Sequence, residues 1–276
     1  MKMSAIKNKF AILILALILS LLSLNDCKNI NIYPTSEDIK LGTQVDKQIR
    51  ADAKEYPIYP NQVAKRYLEG ILNAILASPN IKYRSVFKYQ IEIINNDEVV
   101  NAFAAPGGFI YVYTGLLKFV DNEATLAAVI AHEVAHVENR HATSRMTKQL
   151  GLQALQNIAL GDNPDKNAKL LANLFTGLGL LQNSRSDELE ADADAFKYLK
   201  ATKWYPGAMT YFFEKVKGTM NLGSGGFLTQ LLSTHPMPQE RVDAVIKMLK
   251  ENNIPPPKES NLFTRSYQEF KASLKK

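Results

Sequence analysis

The chain has little cysteine and little histidine, and both shortages restrict the kinds of site it can form. Cys27 is the single cysteine in 276 residues, so no disulfide can form within the chain and a cysteine-ligated zinc cluster is excluded. Only four histidines are present. The lysines and arginines also lack a stripe interleaved with aromatics, which argues against nucleic acid as the main partner.

The N-terminal region lacks an apolar run long enough for a confident membrane span. Its run, Phe10–Leu24, follows three lysines and is typical of a secretory signal. Cys27 comes just after this run and resembles the lipid-modified cysteine of bacterial lipoproteins, although Asp26 replaces the small residue usual before it. A lipoprotein signal, an uncleaved signal anchor and soluble export are the alternatives. Each of them places the body of the protein outside the cytoplasm.

The rest of the chain has the composition of a globular protein, with 46% hydrophobic and 22% charged residues overall. Met1–Asp26 holds three lysines and one aspartate, so without it the net charge falls from +6 to +4. That charge is compatible with attraction to an anionic membrane surface. We expect residues 1–27 to be a signal segment and residues 28–276 to form one domain, with the tail after about residue 254 peripheral.

Two of the four histidines, His132 and His136, stand in an HExxH pattern after an apolar run that starts near Ala124. On a helix both imidazoles lie on one face and can bind one metal ion. Glu133 can then accept a proton from a water that the metal activates, which is the chemistry of a zinc hydrolase. Helices with two surface histidines also produce this pattern by chance, so a third ligand is needed.

The third ligand is sought among the carboxylates further along the chain. No glutamate occurs between Glu138 and Glu188, which excludes a thermolysin-like glutamate soon after the motif. Five carboxylates then fall within Asp187–Asp194, and a solvated acidic face is the simplest alternative. Helical geometry places Glu188 and Asp192 on the apolar face. Because a buried carboxylate pair needs a partner, we predict Glu188 as the third ligand. Asp192 would orient a ligating histidine or transfer a proton.

The other carboxylates of this helix, the two remaining histidines and one arginine also have predicted positions or roles. Glu190 and Asp194 are predicted to share the solvent-exposed face of the helix that carries Glu188. His141 should face away from the HExxH pair at about 100° per residue, so it should not be a ligand. His235 could cap or orient a helix, contact substrate or transition-state charge, or occupy the open metal position. Arg241 follows on the next helix and is expected to pair with a nearby carboxylate.

Periodicity and turn residues predict the surrounding elements. Ser36 is expected to cap a first helix, and a second runs from about Gln62 to Ala77. Val86–Ile94 has the alternation of a strand. Asp121 or Asn122 should cap the HExxH helix.

Two short strands joined by Pro106-Gly107-Gly108 predict a hairpin, with Phe109–Thr114 as its second strand. An ordinary hairpin and an edge strand that pairs with an extended peptide are equally compatible with the pattern. The residues that would face such a substrate are Asn101, Ala102, Phe103 and Ala104. The apolar stretch from Met146 to Gln182 predicts two helices that either pack in the core or form a flap or a surface touching membrane or a partner.

Four ordered motifs together resemble a known family. They are HEVAH with Arg140-His141, the Asn-Ala-Phe-Ala…Pro-Gly-Gly hairpin, Ser-Arg…Glu-x-Glu-Ala-Asp, and the late Thr-His-Pro…Arg. The chain is similar in these motifs to the zinc metalloendopeptidases that include CAAX prenyl protease 1 and HtpX, and especially to envelope proteases of the BepA and LoiP type.

This resemblance implies an α+β, mostly helical gluzincin fold with a small antiparallel sheet and an HExxH active-site helix. It implies one zinc ion per chain, bound by His132, His136 and Glu188, with Glu133 as general base. Asp192 matches a family aspartate described as a proton donor. His235 matches a histidine that can ligate zinc and hold related enzymes inactive.

The predicted function is zinc-dependent cleavage of misfolded or misassembled envelope polypeptides, by a protein attached to the membrane surface through its N-terminus. The alternative is an envelope-tethered chaperone or assembly factor with a closed, latent metal site. The sequence leaves the oligomeric state open.

Overall fold

The computed structural model describes residue 31 and residues 34–146, 183–223, 226–237 and 239–274. The described residues from 31 onward form one compact unit. The predicted signal segment with Cys27, and the helices predicted within 147–182, lie outside the described residues. Among the helices that are described, none is both long enough and apolar enough to cross a membrane.

Two helices precede the sheet. Helix α1 spans Thr35–Ala51 and begins directly after Pro34, so Ser36 lies in its first turn and does not cap it as predicted. Helix α2 spans Gln62–Leu76, one residue shorter than predicted. Asn61 caps it, because the Asn61 side chain accepts hydrogen bonds from the first free backbone N–H groups of the helix.

A three-stranded sheet follows, formed by β1 (Gln90–Ile94), β2 (Ala102–Ala105) and β3 (Phe109–Tyr113) in the order β1-β3-β2. Strand β3 is antiparallel to β2, which confirms the hairpin. It is parallel to β1, so the sheet is mixed and not wholly antiparallel as predicted. Turn residues predict only how consecutive strands pair. Here β1 pairs with β3 and not with β2, because β2 lies on the far side of β3. Strand β1 also starts later than the predicted Val86.

The hairpin turn needs glycine at two successive positions. Pro106–Gly108 forms a 3₁₀ turn between β2 and β3. Gly107 has φ 76° and Gly108 has φ 106°, values at which a Cβ is strained. A Cβ on Gly108 would also lie 3.1 Å from the Cα of Tyr89. The turn therefore holds β2 in register against β3 and leaves the outer edge of β2 beside the helices that follow.

The two faces of the sheet pack against different helices. On β3, alternate side chains point to opposite faces. Phe109, Tyr111 and Tyr113 join a cluster with the buried face of α1, whereas Ile110 and Val112 join the main core with α2 and the HExxH helix. The sheet is therefore covered on both faces, with β2 as an edge strand.

The HExxH helix lies inside the core. Helix α3 spans Thr114–Phe119, and helix α4 spans Glu123–Glu138 with every residue buried. Asn122 caps α4 by accepting a hydrogen bond from Thr125 N at 2.8 Å, in agreement with one of the two predicted caps. Because α4 is buried all round, its polar side chains must find partners within the protein.

Further helices surround α4. Helix α5 spans Arg185–Lys200 and starts with a capping box formed by Ser184 and Asp187. The later helices are α6 (Met209–Asn221), α7 (Thr229–Thr234), α8 (Gln239–Glu251), α9 (Glu259–Leu262) and α10 (Thr264–Ser273).

The tail after residue 254 was predicted to be peripheral, but part of it packs into the core. Tyr267 and Phe270 are both buried. The Tyr267 hydroxyl donates to Leu117 O at 2.7 Å, and the Phe270 ring stacks on Tyr67 with centroids 3.8 Å apart.

Candidate metal centre

Helix α4 places the two motif histidines side by side in a buried position. His132 and His136 are one turn apart, and their Nε2 atoms are 2.9 Å from each other. Glu133, also buried, lies next to His132 on the same helix. The predicted spacing is therefore realised on a core helix, which excludes the surface-histidine alternative.

Helix α5 brings Glu188 to both histidines. The Glu188 side chain is 0% exposed, with Oε1 3.2 Å from His136 Nε2 and Oε2 3.4 Å from His132 Nε2. The inward face predicted for Glu188 and Asp192 is thus confirmed, because both are buried. On the outer face, Asp194 pairs with Lys197 at 2.7 Å, as the polar face of the helix predicted.

Asp192 and Arg241 contact His132 and Glu188 and lie next to the predicted ligands. Asp192 Oδ1 lies 2.9 Å from His132 Nδ1, which is hydrogen-bond distance, although the angle lies outside the usual range. The Arg241 guanidinium donates from Nε and Nη2 to the two oxygens of Asp192 at 2.7 and 2.8 Å. Arg241 Nη1 lies 2.5 Å from Glu188 Oε2. The pairing predicted for Arg241 is therefore with both inward carboxylates of α5.

His235 approaches from the loop after α7. His235 Nδ1 is 3.1 Å from Glu188 Oε1, and its Nε2 is 3.6 Å from Glu133 Oε1. One donor atom from each of His132, His136, Glu188 and His235 lies within 4.8 Å of the other three. His235 therefore lies beside the three predicted metal ligands.

The carboxylates make this centre attractive to positive charge. Burial lowers the pKa of His132, but the charge of Glu188 and the contact with Asp192 outweigh it and raise the pKa to about 9. Burial and the neighbouring His132 hold the pKa of His136 well below its usual value. Burial alone would raise the pKa of Glu188, yet the nearby His235 and His132 hold it well below the ordinary range. Burial raises the pKa of Glu133.

Two pockets meet at the centre, and strand β2 runs along both. The first encloses about 420 Å³, counting space open to solvent, and is lined by Phe103–Pro106 of the hairpin and by Arg140 and Arg145. The second encloses about 330 Å³ on the same measure and is largely apolar, with Ala102 among its walls. Glu133 and His235 line both pockets. Strand β2 and Glu133 therefore border the same two pockets.

A profile of peptidase family M48 matches residues 62–249, which is more than half of the chain. The chain belongs to peptidase family M48. The match includes α4, α5 and the His235 loop, so it covers every residue of the candidate centre.

The similar proteins include named proteases. The chain is 29% identical over 215 residues to a beta-barrel assembly-enhancing protease of Yersinia pestis and 28% identical over 215 residues to that of Escherichia coli K12. Each alignment covers 75% of this chain and 42% of the relative, so the chain spans less than half the length of these relatives. Over 164 residues it is 35% identical to the mitochondrial metalloendopeptidase OMA1 of Arabidopsis thaliana, covering 59% of this chain and 31% of that protein. Family and relatives support metal-dependent protease activity.

The donors of this M48 centre fit a metal ion of the kind that HExxH peptidases bind. Tetrahedral zinc with bonds of about 2.0–2.2 Å places its ligand atoms roughly 3.3 Å apart. The distances among His132 Nε2, His136 Nε2 and Glu188 are 2.9, 3.2 and 3.4 Å. Glu188 Oε2 is buried and, despite its closeness to Arg241, has no hydrogen bond of acceptable angle within the described part of the chain. Two imidazoles and a carboxylate are a donor set that suits zinc.

His141 is the M48 chain's main departure from prediction. Its ring does not face away from the motif, because His141 Nδ1 lies 2.7 Å from His136 Nδ1. The prediction continued α4 at 100° per residue, but α4 ends at Glu138 and Arg140 adopts a left-handed φ of 53°. This turn brings residue 141 back beside the helix.

Asn183 and Arg145 also lie beside the centre, and the sequence did not predict their contacts. Asn183 Nδ2 lies 3.3 Å from His136 Nε2 and 3.2 Å from His235 Nδ1. Arg145 Nη1 donates to Asn183 Oδ1 at 2.5 Å and thereby orients the amide. No spacing rule joins Asn183 to a histidine 52 residues away, so the sequence carried no sign of this contact.

Proposed function

We propose that the protein is a zinc-dependent endopeptidase that hydrolyses peptide bonds of misfolded or misassembled envelope proteins. The observation that carries the proposal is a buried donor set of His132, His136 and Glu188 with Glu133 beside it. The secretory pattern before Cys27 and the relatives named beta-barrel assembly-enhancing protease support an envelope location, with membrane attachment through the N-terminus.

Each residue of the centre has a distinct part in this proposal. His132, His136 and Glu188 hold one zinc ion, which when bound would make a water more acidic and polarise the scissile carbonyl. Glu133 accepts the proton of the attacking water, because it lies beside His132 on α4 and lines both pockets. Asp192 contacts His132 and is held by two hydrogen bonds from Arg241, so an orienting role suits it better than proton donation.

The substrate is proposed to pair with the edge of β2. Tyr113 N donates to Asn101 O at 3.1 Å, which marks these two residues as a hydrogen-bonded pair across the hairpin. Such pairs alternate along an antiparallel ladder. By the observed register, the backbone groups of Ala102 and Ala104 then point to the outer edge of the sheet, whereas Phe103 bonds to β3. An extended peptide can add there through main-chain hydrogen bonds.

The proposal is tested by cleavage of casein, an unfolded polypeptide, by the full zinc-loaded chain and by its Glu133→Gln variant. Loss of the general base should reduce the cleavage rate by about 10²–10⁴-fold. Zinc content, measured on the same samples, should be unchanged, because Glu133 is not among the proposed ligands. Equal cleavage by both proteins would show that Glu133 is not the base.

The second candidate is a chaperone or assembly factor with a closed site, and the position of His235 favours it. Four protein ligands make a structural zinc site, whereas three ligands and a water make a catalytic one. His235 Nδ1, 3.1 Å from Glu188 Oε1, stands where a fourth ligand would come from. In the casein assay, His235→Ala should raise the rate if His235 closes the site and lower it if His235 binds substrate. If neither the wild type nor His235→Ala cleaves casein but both suppress its aggregation, the result would favour the chaperone.

A further inference from the structure

His141 is fully buried against the side of His136 that faces away from the metal centre. Its relative exposure is 0%, and its Nδ1 lies 2.7 Å from His136 Nδ1. The other ring nitrogen, Nε2, lies 3.2 Å from Glu190 Oε2 and 4.0 Å from Asp187 Oδ1. A chain of contacts therefore runs from His136 through His141 to the edge of α5.

The turn that delivers His141 is fixed by helix α1. Arg140, at the left-handed position after α4, donates from Nε to Asp38 Oδ2 at 2.9 Å. Thr143 Oγ1 donates to Asp38 Oδ1 at 2.8 Å. Asp38 is itself buried. These bonds hold both sides of residue 141, so the imidazole cannot easily swing away from His136.

The contacts assign one consistent set of protons. If His136 Nε2 binds a metal, it carries no proton, so the proton of the neutral ring is on Nδ1. His136 Nδ1–H then donates to His141 Nδ1, which must be unprotonated. A neutral His141 consequently has its proton on Nε2, where the Glu190 carboxylate accepts it. His136 Nδ1, His141 Nδ1 and His141 Nε2 then each have the partner that their protonation requires.

We propose that His141 and Glu190 are positioning residues for His136, fixing the tautomer and ring orientation in which Nε2 faces the metal. The inference rests on the proposed zinc site. It gives each ligating histidine its own polar neighbour at Nδ1, which is Asp192 for His132 and the His141–Glu190 pair for His136. Such outer partners raise the basicity of a histidine ligand and restrict its rotation.

The test measures zinc affinity of the full chain by competition with a chromophoric chelator. His141→Phe keeps an aromatic ring but removes both hydrogen bonds, and should weaken zinc binding by about 10–100-fold. His141→Gln can accept from His136 and donate to Glu190, so it should recover most of that loss. Glu190→Ala alters a side chain that is 39% exposed and should fold normally, with a loss of about tenfold.

The control is Glu214→Ala, which removes an exposed carboxylate of α6 and should leave zinc affinity unchanged. Visible absorption of the cobalt-substituted proteins reports whether the ligand geometry has shifted. Wild-type affinity in His141→Phe would overturn the inference, and so would equal weakening in His141→Gln and His141→Phe, since packing alone would then explain both. A wild-type chain that binds no zinc would instead refute the proposed function.

Discussion

Arg241 sets the charge balance of the centre at the scale of single residues. Its guanidinium touches Asp192 and Glu188, two carboxylates that are both buried on α5. A buried charge without a partner is strongly destabilising, so these two acids require Arg241 when no metal is bound. One arginine cannot neutralise Asp192, Glu188 and Glu133 together. The charges of Glu188 and Asp192 raise the pKa of His132, and they would also attract a cation.

Glu123, at the first turn of α4, allows a prediction of acid sensitivity. It accepts hydrogen bonds from Tyr67 OH at 2.5 Å and Trp204 Nε1 at 2.8 Å, and pairs with Lys203 at 2.8 Å. Burial raises the pKa of Glu123, but the bonds from Lys203, Tyr67 and Trp204 outweigh it and lower the pKa below its ordinary value. Glu123→Gln should therefore reduce the free energy of unfolding near neutral pH by about 1–3 kcal/mol.

The pH dependence follows from the sign of that shift. A carboxyl whose pKa is lowered by folding stabilises the protein above its unfolded pKa, about 4.3 for glutamate, and loses this contribution as the pH falls through the folded value. The difference between wild type and Glu123→Gln in urea unfolding should therefore shrink below about pH 4. Glu214→Gln, an exposed change on α6, is the control. A pH-independent difference would mean that packing, not charge, explains the loss.

At the scale of helices and strands, periodic patterns predicted the elements well and their ends poorly. The HExxH helix, its Asn122 cap, α2 and the hairpin follow from local residues, because caps, glycine turns and apolar spacing act within a few positions. The start of α1 and the parallel pairing of β1 do not, since they depend on what each element packs against. The direction of the His141 ring was predicted wrongly because the helix was extended past Glu138, whereas the chain turns at Arg140.

Strand β2 yields a prediction about substrate binding. Ala104→Pro removes an N–H that the ladder pattern directs to the outer edge of the sheet, so the bonds between β2 and β3 should survive. If a peptide substrate pairs with this edge, one main-chain hydrogen bond of about 1 kcal/mol is lost, and kcat/KM for casein-derived peptides should fall roughly 5–10-fold. Steady-state cleavage kinetics provide the measurement.

Ala104→Ser keeps the backbone N–H and is the matched control for this strand. Its kcat/KM should stay close to that of the wild type. Zinc affinity should be the same in all three proteins, because β2 supplies none of the proposed ligands. An Ala104→Pro enzyme with unaltered kinetics would rule out strand pairing at this position and leave the hairpin as a wall of the cleft only.

At the scale of the whole molecule, the centre joins parts of the chain that are far apart in sequence. The donors come from α4, α5 and the loop after α7. Helical faces predicted that Glu188 and Asp192 of α5 point inward, because burial follows local periodicity there, whereas α4 is buried all round. The contacts of Asn183, Arg145 and Arg241 could not be predicted individually, since they arise only when α5, α7 and α8 pack together.

A metal that joins these parts should stabilise the entire fold. Any ion that binds only the folded state adds about 2.7 kcal/mol when its free concentration is 100 times Kd. For a chain of this size each kcal/mol shifts Tm by about 2–4 °C, so zinc should raise the Tm of the chelator-treated protein by roughly 5–10 °C. Glu188→Gln should abolish most of this shift, because it removes the ligand contributed by α5. Glu240→Gln, an exposed change on α8, should retain the shift. Differential scanning calorimetry with and without zinc measures it, and an unchanged Tm in the wild type would show that these helices are not joined by a metal.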